Sequence, residues 1–440
     1  MTQTTHSFRV HAGGPLRGSA TVPGDKSISH RAVMFGALAD GTTTVEGFLQ
    51  GEDCLATRRA FEAMGVVCED IADAAMRIHG VGLHGLSAPG CDLDLGNSGT
   101  SMRLMCGLLS GQSFSTTLSG DASLSRRPMR RVTDPLSQMG ARIDATDEGT
   151  APLRIHGGQP LSGRAFQLSI ASAQVKSALL LAGLYADGTT RVDEPGISRD
   201  HTERMLASFG VDVPVQGRRC SVRGGQRLTA TRIEVPADLS SATFPLVAAA
   251  ITPQSDISLP NVGVNPSRAG VLKILEMMGA QVELTNVRAA GAEPVADLRI
   301  RASALRGVDI PPALVPLAID EFPALLVAAA CAQGRTRITG AAELRVKESD
   351  RIAAMAAGLQ AVGVTVEEQA DGITLQGGGV TGGVVESHDD HRIAMAFAAL
   401  GSVAPDGIEI RDVANVRTSF PGFVPLMAAL GLKIEEASCM

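Results

Sequence analysis

One pattern recurs six times along the 440 residues: a helix-like segment ending in an apolar residue plus glycine, then a short β-type segment. The glycines are Gly65, Gly140, Gly210, Gly279, Gly363 and Gly431, behind A-F-E-A-M, P-L-S-Q-M, M-L-A-S-F, I-L-E-M-M, L-Q-A-V and M-A-A-L. A glycine there suits the left-handed residue that closes a helix. Between these marks runs a second series, a polar patch followed by an apolar helical run, with members beginning near Lys26, Asn97, Ser172, Asp238, Asp320 and Asp389. The first helix of each unit is apolar nearly all round and is expected to be buried; the second is amphipathic and is expected outside. Any one pair of α/β segments can look alike, but six in register define a unit of roughly 70 residues with two helices and several strands. Six units divide into three plus three about Val235–Asp238, where the chain is expected to cross between domains.

The length exceeds the usual domain of about 100–150 residues, consistent with two packed bodies. An apolar fraction of 44% and a charged fraction of 19% exclude disorder, while 3% aromatics with no Trp leave Ala, Val, Leu and Met to fill the core. Apolar runs such as Phe244 to Ile251 and Leu325 to Ala332 fall short of the roughly 18 residues a membrane span needs. The opening M-T-Q-T-T-H-S lacks a signal-peptide core, so a cytoplasmic protein is expected. Cys54, Cys68, Cys91, Cys106, Cys220, Cys331 and Cys439 stand singly, which supports neither a zinc ribbon nor a disulfide framework. A net charge of −7 opposes nucleic-acid binding. Any anionic ligand must be held by locally gathered Lys and Arg.

The polar patches supply such cations at helix starts, where free N–H groups and the helix dipole favour anions. Ser240 or Asn97 alone also reads as an ordinary N-cap. In G-D-K-S-I-S-H-R, Lys26 and Arg31 are spaced to reach one phosphate with help from the Ser27 hydroxyl, although no P-loop pattern is present. Arg127 precedes Pro128 on a constrained loop, and Gln174 and Lys176 in S-A-Q-V-K-S sit beside Ser172, offering hydrogen bonds to a hydroxylated ligand. Asp320-Glu321 in I-D-E-F-P puts two acids before a buried helix, which is costly unless they are paired, used chemically or, for Asp320, spent on a cap. In L-R-V-K-E-S-D-R-I, helical i,i+4 spacing puts Lys347 and Arg351 on one face with Glu348 adjacent, as a solvated charged helix also would. H-D-D-H-R places Arg392 against an apolar helix, and no metal-ligand spacing is present.

These motifs, with L-G-N-S-G-T-S-M-R and D-D-H-R-I-A-M-A, occur in one order from about Pro23 to Pro421 and resemble the 5-enolpyruvylshikimate-3-phosphate synthases among the enolpyruvyl transferases. The resemblance implies an α/β fold, a two-domain inside-out α/β barrel of six β-α-β-α-β-β repeats arranged three plus three. Residues 24–237 would form one domain and residues 1–23 with 238–440 the other, with the active site in the interdomain cleft. The implied reaction moves the carboxyvinyl group of phosphoenolpyruvate to the 5-hydroxyl of shikimate 3-phosphate, releasing phosphate through a tetrahedral intermediate. No metal or organic cofactor is implied, and a monomer is expected. Carried over by motif, Lys26, Ser27, Arg31, Ser172, Gln174, Asp320 and Lys347 would hold shikimate 3-phosphate. Lys26, Gly99, Arg127, Gln174, Arg351 and Arg392 would hold phosphoenolpyruvate. Asp320 would be the base, and Glu348 or Lys26 the acid.

The nearest rival, UDP-N-acetylglucosamine enolpyruvyl transferase, usually carries a reactive Cys in the loop before R-P, where this chain has Ala122. A non-catalytic binder of anionic metabolites is the rival from another class, and it has no use for Asp320 and Glu348 among the cations. S-A-Q-V-K-S with S-R-D-H-T-E-R resembles the branch that includes glyphosate-tolerant enzymes. Those best known for tolerance carry Ala where Gly99 stands, so sensitivity to glyphosate is expected here. Arg417 is displaced by one position from the Lys that relatives place before T-F-P, so the motif does not assign it a role.

Overall fold

The computed structural model describes residues 5–439; residues 1–4, read above for the lack of a signal core, lie outside them, as does the side chain of Cys439. Twelve α-helices are described: α1 (Lys26–Leu38), α2 (Glu52–Ala63), α3 (Gly99–Ser110), α4 (Arg130–Gln138), α5 (Ala173–Gly183), α6 (His201–Ser208), α7 (Leu239–Ile251), α8 (Gly270–Met277), α9 (Phe322–Cys331), α10 (Arg351–Ala361), α11 (His391–Leu400) and α12 (Phe423–Ala429). They fall into six pairs, each wound with a small sheet into one repeat.

The second repeat shows the plan. Leu93–Asp94 runs parallel to Thr116–Ser119, which is antiparallel to Leu153–His156, and Arg142–Asp144 closes the far edge. The third repeat has the same order, with Ala165–Gln167 parallel to Thr189–Asp193 and the hairpin of Val215–Gln216 and Arg219–Arg223 beyond. The sheets of the first and sixth repeats are completed by distant segments. Leu228–Thr229 and Arg232–Glu234 lie parallel to Ala39–Glu46. Thr5–His11 is inserted antiparallel between Ile408–Arg411 and Lys433–Cys439. In the fourth repeat Arg17–Ser19 leads, parallel to Asp256–Gly263. In the fifth the leading strand shrinks to isolated bridges, Arg306 with Gln333 and Asp309 with Arg337.

All six repeat-marking glycines take positive φ, from +84° to +110°. Each closes its helix with the same two bonds, as in Gly65 N–H to Glu62 O and Val66 N–H to Phe61 O. This is the Schellman closure, which satisfies two carbonyls that the helix end leaves open. The odd-numbered helices are buried on nearly every side, as their uniform apolarity predicts, and the even-numbered ones bury about one face.

Two compact units emerge. The first comprises Gly24–Val235 with Ala290–Glu293, the second the residues up to Pro23, Pro236–Ala289 and Pro294 onward. One core surrounds α1, α3 and α5, the other α7, α9 and α11, both built from Leu, Val, Ala, Met and Phe. No helix among the described residues is long and apolar enough to cross a membrane.

Candidate active site

In the first unit the polar residues cluster at the starts of α1, α3 and α5. Asp25 caps α1, accepting from Ile28 N at 2.9 Å, so Lys26 opens the helix with its ammonium on the carboxylate of Asp53 in α2. Arg31, one turn further, is buried. Its guanidinium donates to Thr202 Oγ1 at 2.7 Å, Ser177 Oγ at 2.9 Å and the Ser27 carbonyl at 2.9 Å. Two hydroxyls and a carbonyl orient the charge without neutralising it. Burial pushes the group down to about 10, against the field of Glu203, so it stays a cation at neutral pH.

Helix α3 starts at Gly99 behind the Ser98 cap, whose hydroxyl accepts from Ser101 N at 3.1 Å. Arg127 follows a short 3₁₀ turn, Leu124–Arg126, and donates to Asn97 Oδ1 at 2.6 Å. Asn97 is in turn fixed by donating to Asp121 at 2.7 Å. A Cβ on Gly99 would lie 2.9 Å from Arg127 Nη1 and 3.1 Å from Arg103 Nη1, so both guanidinium groups converge on the helix start. Arg103 also donates to Gln174 Oε1 at 2.7 Å, and Gln174 reaches Thr100 Oγ1 at 3.1 Å. That bridge needs α3 and α5 close together. Gly107 permits it, since a Cβ there would fall 2.0 Å from the Ala178 carbonyl oxygen. Ser172 caps α5, accepting from Val175 N at 3.4 Å.

Beneath these starts, His30 contacts Thr57 Oγ1 at 2.8 Å and Ser101 Oγ at 3.3 Å through Nδ1, and Ser98 Oγ at 3.4 Å through Nε2. Burial, with Lys26 and Arg31 adding to it, holds the ring well below its usual pKa, so it is neutral and joins α1, α2 and α3 by hydrogen bonds alone.

In the second unit the Asp320 carboxylate lies 3.3 Å from both Lys347 Nζ and Arg351 Nη1, and its backbone carbonyl accepts from Arg392 at 2.9 Å. Arg351 is 1% exposed, yet it serves three acids. It reaches Asp390 at 2.8 Å and Glu348 at 2.7 Å besides Asp320. Burial alone would lower its pKa, but Asp390, Glu348 and Asp320 outweigh burial and raise it. Burial likewise disfavours the Asp390 carboxylate, and Arg351 more than compensates, holding it below the usual range. Asp390 also caps α11 through Arg392 N at 2.9 Å.

Several expectations are corrected. Lys347 and Arg351 do not share a helix face: α10 begins at Arg351 behind the Asp350 cap, and Lys347 ends a 3₁₀ turn, Ala342–Val346. They meet at Asp320 nonetheless, and the burial of Arg351 removes the solvated-helix reading. The caps are Ser98 and Asp238 rather than Asn97 and Ser240. Asp320 does not cap α9, whose N-cap residue is Glu321. Lys176 offers nothing to a ligand, being buried between Glu194 and Glu203 at 2.8 Å each. Arg417 is exposed and pairs with Glu436 at 3.2 Å. Sequence reasoning missed Asp53, Arg103 and Asp390. All three stand in or beside patterns already noted, but only tertiary contact reveals their partners. Among the described residues, no group of three or more His, Cys, Asp or Glu is placed to hold a metal ion.

The family model described as EPSP synthase (3-phosphoshikimate 1-carboxyvinyltransferase) matches residues 10–427. The chain is 61% identical over 428 residues to a 3-phosphoshikimate 1-carboxyvinyltransferase of Methylococcus capsulatus, covering 97% of this chain and 98% of that protein. It is 62% identical over 430 residues to one of Alkalilimnicola ehrlichii, covering 98% and 96% respectively. Among solved structures, an EPSP synthase from Acinetobacter baumannii superposes with a TM-score of 0.88 at 52% identity, over 98% of this chain and all of that one.

Proposed function

The chain belongs to the EPSP synthase (3-phosphoshikimate 1-carboxyvinyltransferase) family, and from that premise we propose how its residues divide the chemistry. The protein is a transferase of the shikimate pathway to aromatic amino acids. It moves the carboxyvinyl group of phosphoenolpyruvate to the 5-hydroxyl of shikimate 3-phosphate and releases phosphate. The 5-oxygen bonds to the carbon bearing the phosphate as its proton leaves, and the methylene carbon gains a proton. The tetrahedral adduct then returns a proton from the new methyl group and expels phosphate, restoring the double bond.

Each substrate carries a phosphate of about −1.5 to −2 and a carboxylate, so cations that retain their charge are required. Lys26, Ser27, Arg31, Ser172, Gln174, Asp320 and Lys347 hold shikimate 3-phosphate; Lys26, Gly99, Arg127, Gln174, Arg351 and Arg392 hold phosphoenolpyruvate. The orientation of Arg31 by neutral partners supports its part, because a cation spent on a protein carboxylate has less to offer a ligand. Asp320 is the base. Glu348, held by Arg351, or Lys26, held by Asp53, is the acid. Glyphosate inhibits the enzyme, which is a cytoplasmic monomer.

The observation that carries this reading is Asp320 at 3.3 Å from both Lys347 and Arg351, with Arg392 on its own carbonyl. A site built only to bind anions gains nothing from a carboxylate in that place. Asp320→Asn keeps the shape and loses the base, so kcat is expected to fall by about 10²- to 10⁴-fold with both KM values nearly unchanged. Near wild-type turnover would overturn the assignment.

A further inference from the structure

Helices α5 and α6 are joined by two adjacent rungs. The neutral one links Ser177 Oγ and Thr202 Oγ1 at 2.6 Å, and both hydroxyls receive Arg31. The charged one, built from the neighbouring residues Lys176 and Glu203, is buried and includes Glu194. Glu194 is also tied to the start of α5, accepting from Ser172 N at 3.2 Å. Burial would lower the Lys176 pKa, but Glu203 and Glu194 outweigh it and raise it. Glu203 acts on Arg31 against the effect of burial, ahead of Asp25 and Glu293, while Arg199 opposes them. Among the described residues Arg31 forms no ion pair. One Glu203 oxygen lies on Lys176, and the other is buried with no hydrogen-bond partner.

We propose that Lys176 is a positioning residue for shikimate 3-phosphate: it keeps the Glu203 carboxylate in an ion pair of its own, so that Arg31 keeps its charge for the substrate. Two cations and two acids balance across the rungs. If Lys176 is removed, Glu203 loses the cation it is paired with, while Arg31 is a cation already in its field. Glu194 stays on the Ser172 amide. The inference rests on the reading of Arg31 as a shikimate 3-phosphate ligand.

The test is steady-state kinetics for both substrates, with thermal melts, on Lys176→Met, Glu203→Gln, the double variant and Arg31→Ala. Lys176→Met should raise KM for shikimate 3-phosphate about tenfold or more, as expected for diverting one charged hydrogen-bonding group. KM for phosphoenolpyruvate should stay within about twofold. Glu203→Gln should leave both KM values near wild type. The double variant, which removes the competing carboxylate, should recover KM for shikimate 3-phosphate, and it keeps the proposal testable if Lys176→Met does not fold. Equal rises in both KM values, or no recovery in the double variant, would overturn the proposal. If Arg31→Ala leaves KM for shikimate 3-phosphate unchanged, the underlying reading of Arg31 fails instead.

Discussion

A single fully buried arginine, Arg351, organises the acids of the second unit. Asp390 is held from one side while Asp320 and Glu348 are drawn in from others. Removing it would leave buried Asp390 uncompensated, which is far costlier than losing an exposed ion pair. Gly99 plays the opposite part in the first unit, because what matters there is the space it leaves. A methyl group would crowd Arg127 Nη1 at 2.9 Å, Arg103 Nη1 at 3.1 Å and Leu124 Cδ1 at 3.7 Å. Gly99→Ala is therefore expected to raise the glyphosate inhibition constant, and an unchanged constant would remove the steric argument. The cations themselves are legible in sequence, because Lys26 and Arg392 stand at the starts of apolar helices, Arg31 lies one turn into α1, Arg127 precedes Pro128 and Arg351 opens α10. Their partners are not. Asp53 sits in the first turn of α2 and Asp390 before α11, where a carboxylate is already explained by the helix dipole. The burial of Lys176 is illegible for the same reason, since nothing local shows that α6 brings Glu203 to it.

At the scale of elements, the six helix closures were the most legible feature, because a Schellman motif is written within a few consecutive residues. They differ in what surrounds the glycine. At Gly210, φ is +84° and the nearest atom to an added Cβ is Thr229 Oγ1 at 3.9 Å; at Gly140, φ is +108° and the Pro160 carbonyl oxygen lies at 2.5 Å. Gly210→Ala should cost about 1–2 kcal/mol from the left-handed conformation alone, and Gly140→Ala should cost more, because backbone must also move. Urea midpoints of the two variants check this order, and equal midpoints would contradict it. The segment before α10 shows where local reading fails. Charges at i,i+4 suggested a helix through Lys347, but Asp350 accepts from Ala353 N at 3.0 Å and starts the helix one residue later. The cap is written in the sequence itself, as an Asp directly before the first helical residue, and a local N-cap fixes a helix start more strongly than charge spacing does.

At the scale of the whole molecule, the period of the sequence explains six similar sheets but not how the chain closes each set. Leu228–Glu234 completes the first sheet and Thr5–His11 the sixth, each by pairing with strands far away in sequence. Composition pointed to gathered cations in an acidic chain, and the structure shows how they are supported: neutral hydroxyls around Arg31, an amide beside Arg127, acids around Arg351. The central claim is that these groups serve the transfer of a carboxyvinyl group to shikimate 3-phosphate. The most direct test is phosphate release by the purified protein with phosphoenolpyruvate and either shikimate 3-phosphate or UDP-N-acetylglucosamine as acceptor. Release with shikimate 3-phosphate alone is the predicted result; release only with the nucleotide sugar, or none with either acceptor, would contradict it.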